Sequence, residues 1–156
     1  MISNDPKFVP YEIFQTIVRH APLASIDIIV CCEGKVLLGK RVNKPAQGYY
    51  FTTGGIIRKD ETYQKALSRI AQAELGIEVA MNNMRFVGVF EHFYDDGIVE
   101  NCSTHYINHG YILELQEPPK ALPKAQHSEY KWFDMVELLQ SDVVHPYVKD
   151  YFRKEG

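Results

Sequence analysis

The sequence predicts an α/β/α sandwich built on a mixed β-sheet. Short β-branched and aromatic runs, bounded by Gly, Pro and Asn, recur along the chain. Around them stand stretches whose apolar residues repeat at helical spacing. Strands interleaved with helices bury both faces of one sheet. A length of 156 residues fits one domain, spanning 1–156, with a core of useful size.

The elements follow in order. Residues 11–20 repeat apolar side chains at helical spacing, and Pro22 ends the segment. Ser25 to Cys32 is β-branched and reads as a buried strand. Glu33-Gly34 turns it into a second strand, Lys35 to Val42. Asn43 to Gly48 is a loop punctuated by Pro45 and Gly48. Tyr50 to Thr53 is short and extended, and Gly54-Gly55 reads as a turn. Asp60 is the expected N-cap of a helix from Glu61 to Leu75, with Gly76 closing it. Met84 to Tyr94 and Thr104 to Leu115 read as two long strands joined by a loop from Asp95 to Ser103. Pro118, Pro119 and Pro123 mark an irregular segment that delivers Gln126 and His127. Tyr130 to Phe133 is a short strand. Asp134 caps a helix to about Ser141, and Pro146 opens a last one to about Lys154.

Composition narrows the function classes. Hydrophobic residues make up 46% and charged residues 24%, as in ordinary soluble domains. A net charge of −3 gives no nucleic-acid footprint. No apolar run approaches the roughly 20 residues needed to span a bilayer. Met1 to Pro10 is polar and Pro-interrupted, unlike a signal peptide. Cys31, Cys32 and Cys102 are odd in number and two are adjacent, which does not suit a disulfide framework. A cytoplasmic protein with reduced thiols is expected.

Several side chains stand out. On a helical wheel Glu74 falls within roughly 40° of Tyr63, Leu67 and Ile70, on the apolar face. A carboxylate there is costly unless paired with an arginine or holding a cation. Arg69 lies about 140° away and reads as an orienting residue, through Glu61. Arg41 ends an amphipathic strand; it is either a solvated strand end or a guanidinium clamp for phosphate. Tyr106 is either a cross-strand packing residue or a donor to a phosphate oxygen. His92 shares strand parity with Phe86 and Phe90, so it reads as a core histidine or a site residue. Asp27 interrupts the apolar run Ile26 to Val30, as an edge feature or a site residue. His127, in a Pro-flanked loop next to Gln126, reads either as a surface loop histidine or as a base that takes a proton near neutral pH.

Gly55, Glu61, Arg69, Glu74, Gly76 and Ile77 match the spacing G-x5-E-x7-R-E-U-x-E-E-x-G-U, where U is a bulky aliphatic. The sequence therefore resembles the Nudix hydrolases. Ile70 and Ala73 stand where ordinary members carry metal-binding glutamates. That erosion resembles one branch, the GDP-mannose mannosyl hydrolases. Leu38-Gly-Lys-Arg41, Pro45-Ala-Gln-Gly-Tyr49, His92-Phe-Tyr-Asp-Asp96, Thr104-His-Tyr106 and Gln126-His127 through Trp132 also look like that branch, in the same order. The likeness covers roughly residues 11–152.

The resemblance implies a Nudix-type sandwich and Mg²⁺-dependent hydrolysis of GDP-mannose or a related GDP-sugar, with Mn²⁺ as the alternative ion. Water attacks the anomeric carbon with inversion and releases GDP. It implies metal ligation by the Gly54 carbonyl, Glu74 and Gln126, and His127 as the base. Arg41 and Tyr106 hold the departing diphosphate, His92 donates near it, and Asp27 belongs to the site. A homodimer is implied too. Ile56 stands where the branch carries a phosphate-binding arginine, and Arg58, two residues on, is the candidate substitute. Two rivals remain: a pyrophosphatase cleaving between phosphates, and a non-catalytic nucleotide-sugar sensor.

Overall fold

The computed structural model describes residues 9–123 and 127–153. Its elements run α1 (Tyr11–His20), β1 (Leu23–Cys32), β2 (Lys35–Arg41), β3 (Tyr50–Phe51), β4 (Thr53–Ile56), α2 (Tyr63–Leu75), β5 (Met84–Tyr94), β6 (Thr104–Leu115), β7 (His127–Phe133), α3 (Met135–Gln140) and α4 (Pro146–Asp150). The strands form one mixed sheet, as the interleaved pattern predicts. β1 runs parallel to β6 over ten residue pairs, and the other pairings are antiparallel.

β1 is apolar on both faces because both are covered. Ile26, Ile28 and Val30 face α2, with Leu67, Ile70 and Leu75. Ile29 faces α3 and α4, with Leu138, Val148 and Tyr151. A third cluster packs Phe14 and Val18 of α1 against Leu23 and Val99. Among the described residues no helix is long and apolar enough to cross a membrane.

The site depends on one irregularity. β1 and β2 pair only from Val30↔Leu37 to Cys32↔Lys35 and then part. The next segment fills the gap in two halves. β3 pairs with β2 at Gly39 and Lys40, and β4 pairs with β1 from Ser25 to Ile28. Thr52 lies between the halves.

Several local expectations need correction. Gly54 and Gly55 are not a turn; they lie in β4, opposite Asp27 and Ile26. The absent side chains matter for closeness, since a Cβ on Gly54 would come 2.5 Å from Asp27 Oδ1. The N-cap of α2 is Thr62, whose hydroxyl accepts from Lys65 N, and not Asp60, which sits at φ 63° in the preceding turn. His127 is the first residue of β7 and not a loop residue, because it pairs with Arg41. Phe86 does not share a face with His92. A bulge between Phe86 and Gly88 shifts the alternation, so Phe86 meets Tyr111 on the α2 side. The last helix ends at Asp150, earlier than Lys154.

The capping correction has a measurable consequence. Thr62→Ala should cost about 1 kcal/mol in urea unfolding, the usual value of a lost cap. Asp60→Gly should be neutral or stabilising by up to about 1 kcal/mol, since glycine relieves the left-handed backbone. A larger loss from Asp60→Gly than from Thr62→Ala would return the cap to Asp60.

Candidate active site

Where β1 and β2 part, the structure holds a cavity of about 1030 Å³. Asp27 of β1, Arg41 at the end of β2, Gly54 to Ile56 of β4, and Ala73 and Glu74 of α2 line one part. His92 and Tyr94 of β5 and Tyr106 and Asn108 of β6 line another, and Tyr11 and Phe14 of α1 close a side. Of the site residues expected from sequence, Asp27, Arg41, Gly54, Glu74, His92 and Tyr106 come together here.

Arg41 is fixed by the loop it closes. Its Nε donates to Pro45 O at 2.7 Å, its N–H to Tyr49 O at 2.9 Å, and its carbonyl accepts from Gly48 N at 2.9 Å. Glu74 is 8% exposed and makes no hydrogen bond or ion pair with another described residue. Burial pushes its carboxyl up to about 7, and the Arg41 charge opposes that only in part. The buried ion pair weighed from sequence is therefore not formed with a described arginine. Tyr106 is pushed up to about 12 by burial, so its hydroxyl stays protonated and able to donate.

Asp27 is the anchor of a buried polar chain. Tyr151 Oη donates to Asp27 Oδ2 at 2.5 Å, Asn108 Nδ2 donates to the same Tyr151 oxygen, and Ser25 Oγ donates to Asn108 Oδ1 at 2.9 Å. Burial raises the Asp27 carboxyl to about 6, against the opposing effect of Tyr151, Thr52, Arg41 and Asn108. The Thr52 hydroxyl lies close to this carboxylate but makes no well-formed hydrogen bond. His92 is 4% exposed and lies flat on Tyr147, with centroids 4.2 Å apart and planes at 4°. Burial and the neighbouring His145 lower it to about 4. It is neutral at pH 7, and its Nε2 has no partner among the described residues.

Three expected residues stand apart. Arg69 Nε and Nη2 bind Glu61 at 2.8 and 3.0 Å, and Nη2 also binds Ile56 O at 2.7 Å. It ties α2 to the end of β4 from outside the cavity lining. Arg58 is not among the residues that line the cavity, and its backbone N–H donates to Glu61 Oε1 at 3.0 Å. His127 is 1% exposed, pairs with Arg41 across β2 and β7, and is not among the lining residues. Its ring fills the space that Gly39 leaves, where a Cβ would come 2.5 Å from Cγ. Burial and Arg41 lower it to about 4, and its Nε2 lacks a partner among the described residues. Gln126 lies outside the described residues.

Ser25, Asn108, Tyr147 and Tyr151 escaped the sequence reading. The tyrosines carried a signal, being four apart after the helix-opening Pro146. The pairing of Ser25 with Asn108 depends on the parallel β1–β6 register, which no local pattern reveals.

The sequence profile of the NUDIX domain matches residues 21–153. The chain belongs to the Nudix family. It is 38% identical over 144 residues to the low-salt glycan biosynthesis protein Agl8 of Haloferax volcanii, covering 92% of this chain and 88% of that one. It is 28% identical to the ADP-ribose pyrophosphatase of Methanocaldococcus jannaschii, over 85% of this chain and 74% of that one. In fold it is similar to the MutT protein of Methanosarcina mazei Go1, with a TM-score of 0.69 at 20% identity over 85% and 92% of the two chains. The Nudix domain of Shewanella oneidensis NrtR, solved with ADP ribose, gives a TM-score of 0.64 at 19% identity over 85% and 87%. As a Nudix hydrolase, the protein carries the family's box residues on β4, the following loop and α2.

The Glu61–Arg69 pair supplies a pH test. Burial alone would raise Glu61, but hydrogen bonds from Arg69 and the Arg58 N–H, with both charges, bring it below its ordinary 4.5. A depressed carboxyl contributes stability above its unfolded pKa and loses it as pH falls through the folded one. Glu61→Gln should cost about 2 kcal/mol at pH 7, below the ~3–5 of a fully buried pair. The deficit should shrink below about pH 4 in urea titrations. A deficit constant from pH 7 to 3 would show that the charge on Glu61 contributes nothing.

Proposed function

We propose that this Nudix hydrolase cleaves GDP-mannose or a related GDP-sugar to GDP and free sugar, by water attack at the anomeric carbon with inversion. The observation that carries the reading is the cavity face of α2. It presents Ala73 and one carboxylate, Glu74, while Ile70 is packed on Gly55. A helix with one inward carboxylate is poorly equipped to hold several metals against phosphorus. It is equipped to help hold one cation on a departing diphosphate. The relative named for glycan biosynthesis favours a sugar-bearing substrate.

Nudix hydrolases generally use divalent metals, and the residues present fit one. Glu74 is buried and unpaired among the described residues, and Gly54 has no side chain to obstruct its backbone. Glu74, the Gly54 carbonyl and Gln126 would hold Mg²⁺ or Mn²⁺, with phosphate and water completing the shell. The ion supplies Lewis-acid stabilisation of the charge that collects on the leaving diphosphate. Arg41 adds a fixed guanidinium to the same charge, in a partly dry site where such contacts are worth most. Tyr106 donates from its protonated hydroxyl, and His92 donates through a ring nitrogen. His127 takes the proton of the attacking water through Nε2. To do so its ring must leave the space beside Gly39. The pairing of β2 with β7 is already irregular between Gly39 and Arg41, at the point where that release would begin.

The second reading is cleavage between phosphates. Its support is the relative named as an ADP-ribose pyrophosphatase.

Hydrolysis in ¹⁸O-labelled water decides between them. Label should appear in the sugar, with GDP unlabelled; label in a phosphate product would establish attack at phosphorus. His127→Gln should lower kcat by roughly 10²- to 10⁴-fold, the range for loss of a general base. A variant within about threefold of wild type, under ~1 kcal/mol of barrier, would remove His127 from the chemistry.

A further inference from the structure

α4 begins at Pro146, and Tyr147 and its C-cap residue Tyr151 stand four positions apart. That spacing puts both on one side of a single helical turn. Each grips a different polar residue of the cavity.

Tyr147 holds β5. Its ring is stacked on His92, while its hydroxyl accepts from Phe93 N at 3.0 Å and donates to Phe93 O at 2.9 Å. β5 is an edge strand, so these outward backbone groups have no neighbouring strand. The Tyr147 hydroxyl takes that strand's place. One side chain thus fixes both the plane of the His92 ring and the strand that carries it.

Tyr151 holds β1. Its hydroxyl joins Asp27 to Asn108, and its ring meets Phe90 at 4.7 Å. The close approach requires Gly110, where a Cβ would come 2.9 Å from the ring. β1 and β5 are separated by β6 in the sheet. The two grips therefore reach across the sheet, and their spacing is set by a rigid turn.

We infer that Tyr147 and Tyr151 are positioning residues, through which α4 fixes the relative placement of His92 and Asp27 and so controls turnover more than substrate affinity. This rests on the reading above, in which His92 and Asp27 face the substrate. Displacements of about 1 Å in such groups can cost up to about 10²-fold in rate.

The test uses the full chain with Mg²⁺ and GDP-mannose. Tyr147→Leu, which loses stack and clamp, and Tyr151→Phe, which loses only the hydroxyl, should lower kcat by about 10-fold or more, with KM within about threefold. Tyr147→Phe keeps the stack and should recover part of the Tyr147→Leu loss. Val148→Ala removes core packing from the same turn; it should lower Tm and leave kcat near wild type. An equal kcat loss in Val148→Ala would reduce the tyrosines to stability alone and overturn the inference.

His92→Asn and Asp27→Asn are assayed alongside. If these retain turnover, the reading of the site fails. If they lose it while the tyrosine variants stay within about threefold of wild type, positioning by α4 fails. NMR of the free protein supplies a readout independent of turnover. Tyr147→Leu should shift the His92 ring signals and the Phe93 amide, and Tyr151→Phe should shift the Asp27 carboxyl signal. Unchanged spectra at these residues would also overturn the inference.

Discussion

The charge of Arg41 is the one electrostatic influence that the site's other groups share. It stands at the end of β2, where β1 and β2 have parted, and its field reaches Asp27, Glu74, Tyr106 and His127. Burial pushes both carboxyls towards their neutral forms, and Arg41 acts against that push. It also lowers the basicity of His127. Burial dominates the charge state of groups brought by β1, β6, β7 and α2, and one guanidinium acts on all of them. Its own position is set by backbone, because the loop from Asn43 to Tyr49 folds back on the Arg41 N–H and carbonyl. Loss of that loop's conformation would disturb the electrostatics before any contact in the core.

Much of this was legible in the sequence wherever the determinant was local. β5 and β6 begin and end at the expected residues because alternation and flanking turn residues mark them. The helical wheel placed Glu74 inward, and the box spacing linked Glu61 to Arg69. Failures occurred where two local signals competed or the determinant was distant. Asp60 and Thr62 are both good caps, and only the backbone turn at Asp60 decides between them. His127 looked like a loop residue because its pairing with Arg41 joins residues 86 positions apart. A one-residue bulge in β5 moved Phe86 to the other face, and no composition signal announced it. Asn108 read as an ordinary strand residue until the parallel register set it beside Ser25.

Ile56 shows how a departure from a family pattern can be absorbed by packing. It lines the cavity, but it also packs with Phe14, Ile98 and Tyr106 in the cluster built around α1. Its backbone carbonyl is held by Arg69. A side chain at this position therefore answers to the first helix and the loop after β5 as well as to any ligand. The aliphatic residue is what that wall accommodates. Arg58, two residues on, is not among the residues that line the cavity.

The balance of charge around the cavity argues for how a ligand enters. Among the described lining residues Asp27, Glu74 and Glu100 oppose Arg41 and Lys44. A diphosphate adds negative charge to a lining that is already slightly acidic when its carboxyls are ionised. Arg41 and Lys44 cannot balance Asp27, Glu74 and a diphosphate together, because their positive charge is smaller than the negative charge it would face. In the proposed reaction the shortfall is greatest as the leaving group departs and its charge grows. A divalent cation held beside Glu74 would correct both deficits, since it would keep that carboxyl ionised and leave the Arg41 field to the phosphates. On this account cation and nucleotide sugar would each improve the site for the other, because the lining's own positive charge falls short of what both carboxylates and a diphosphate require.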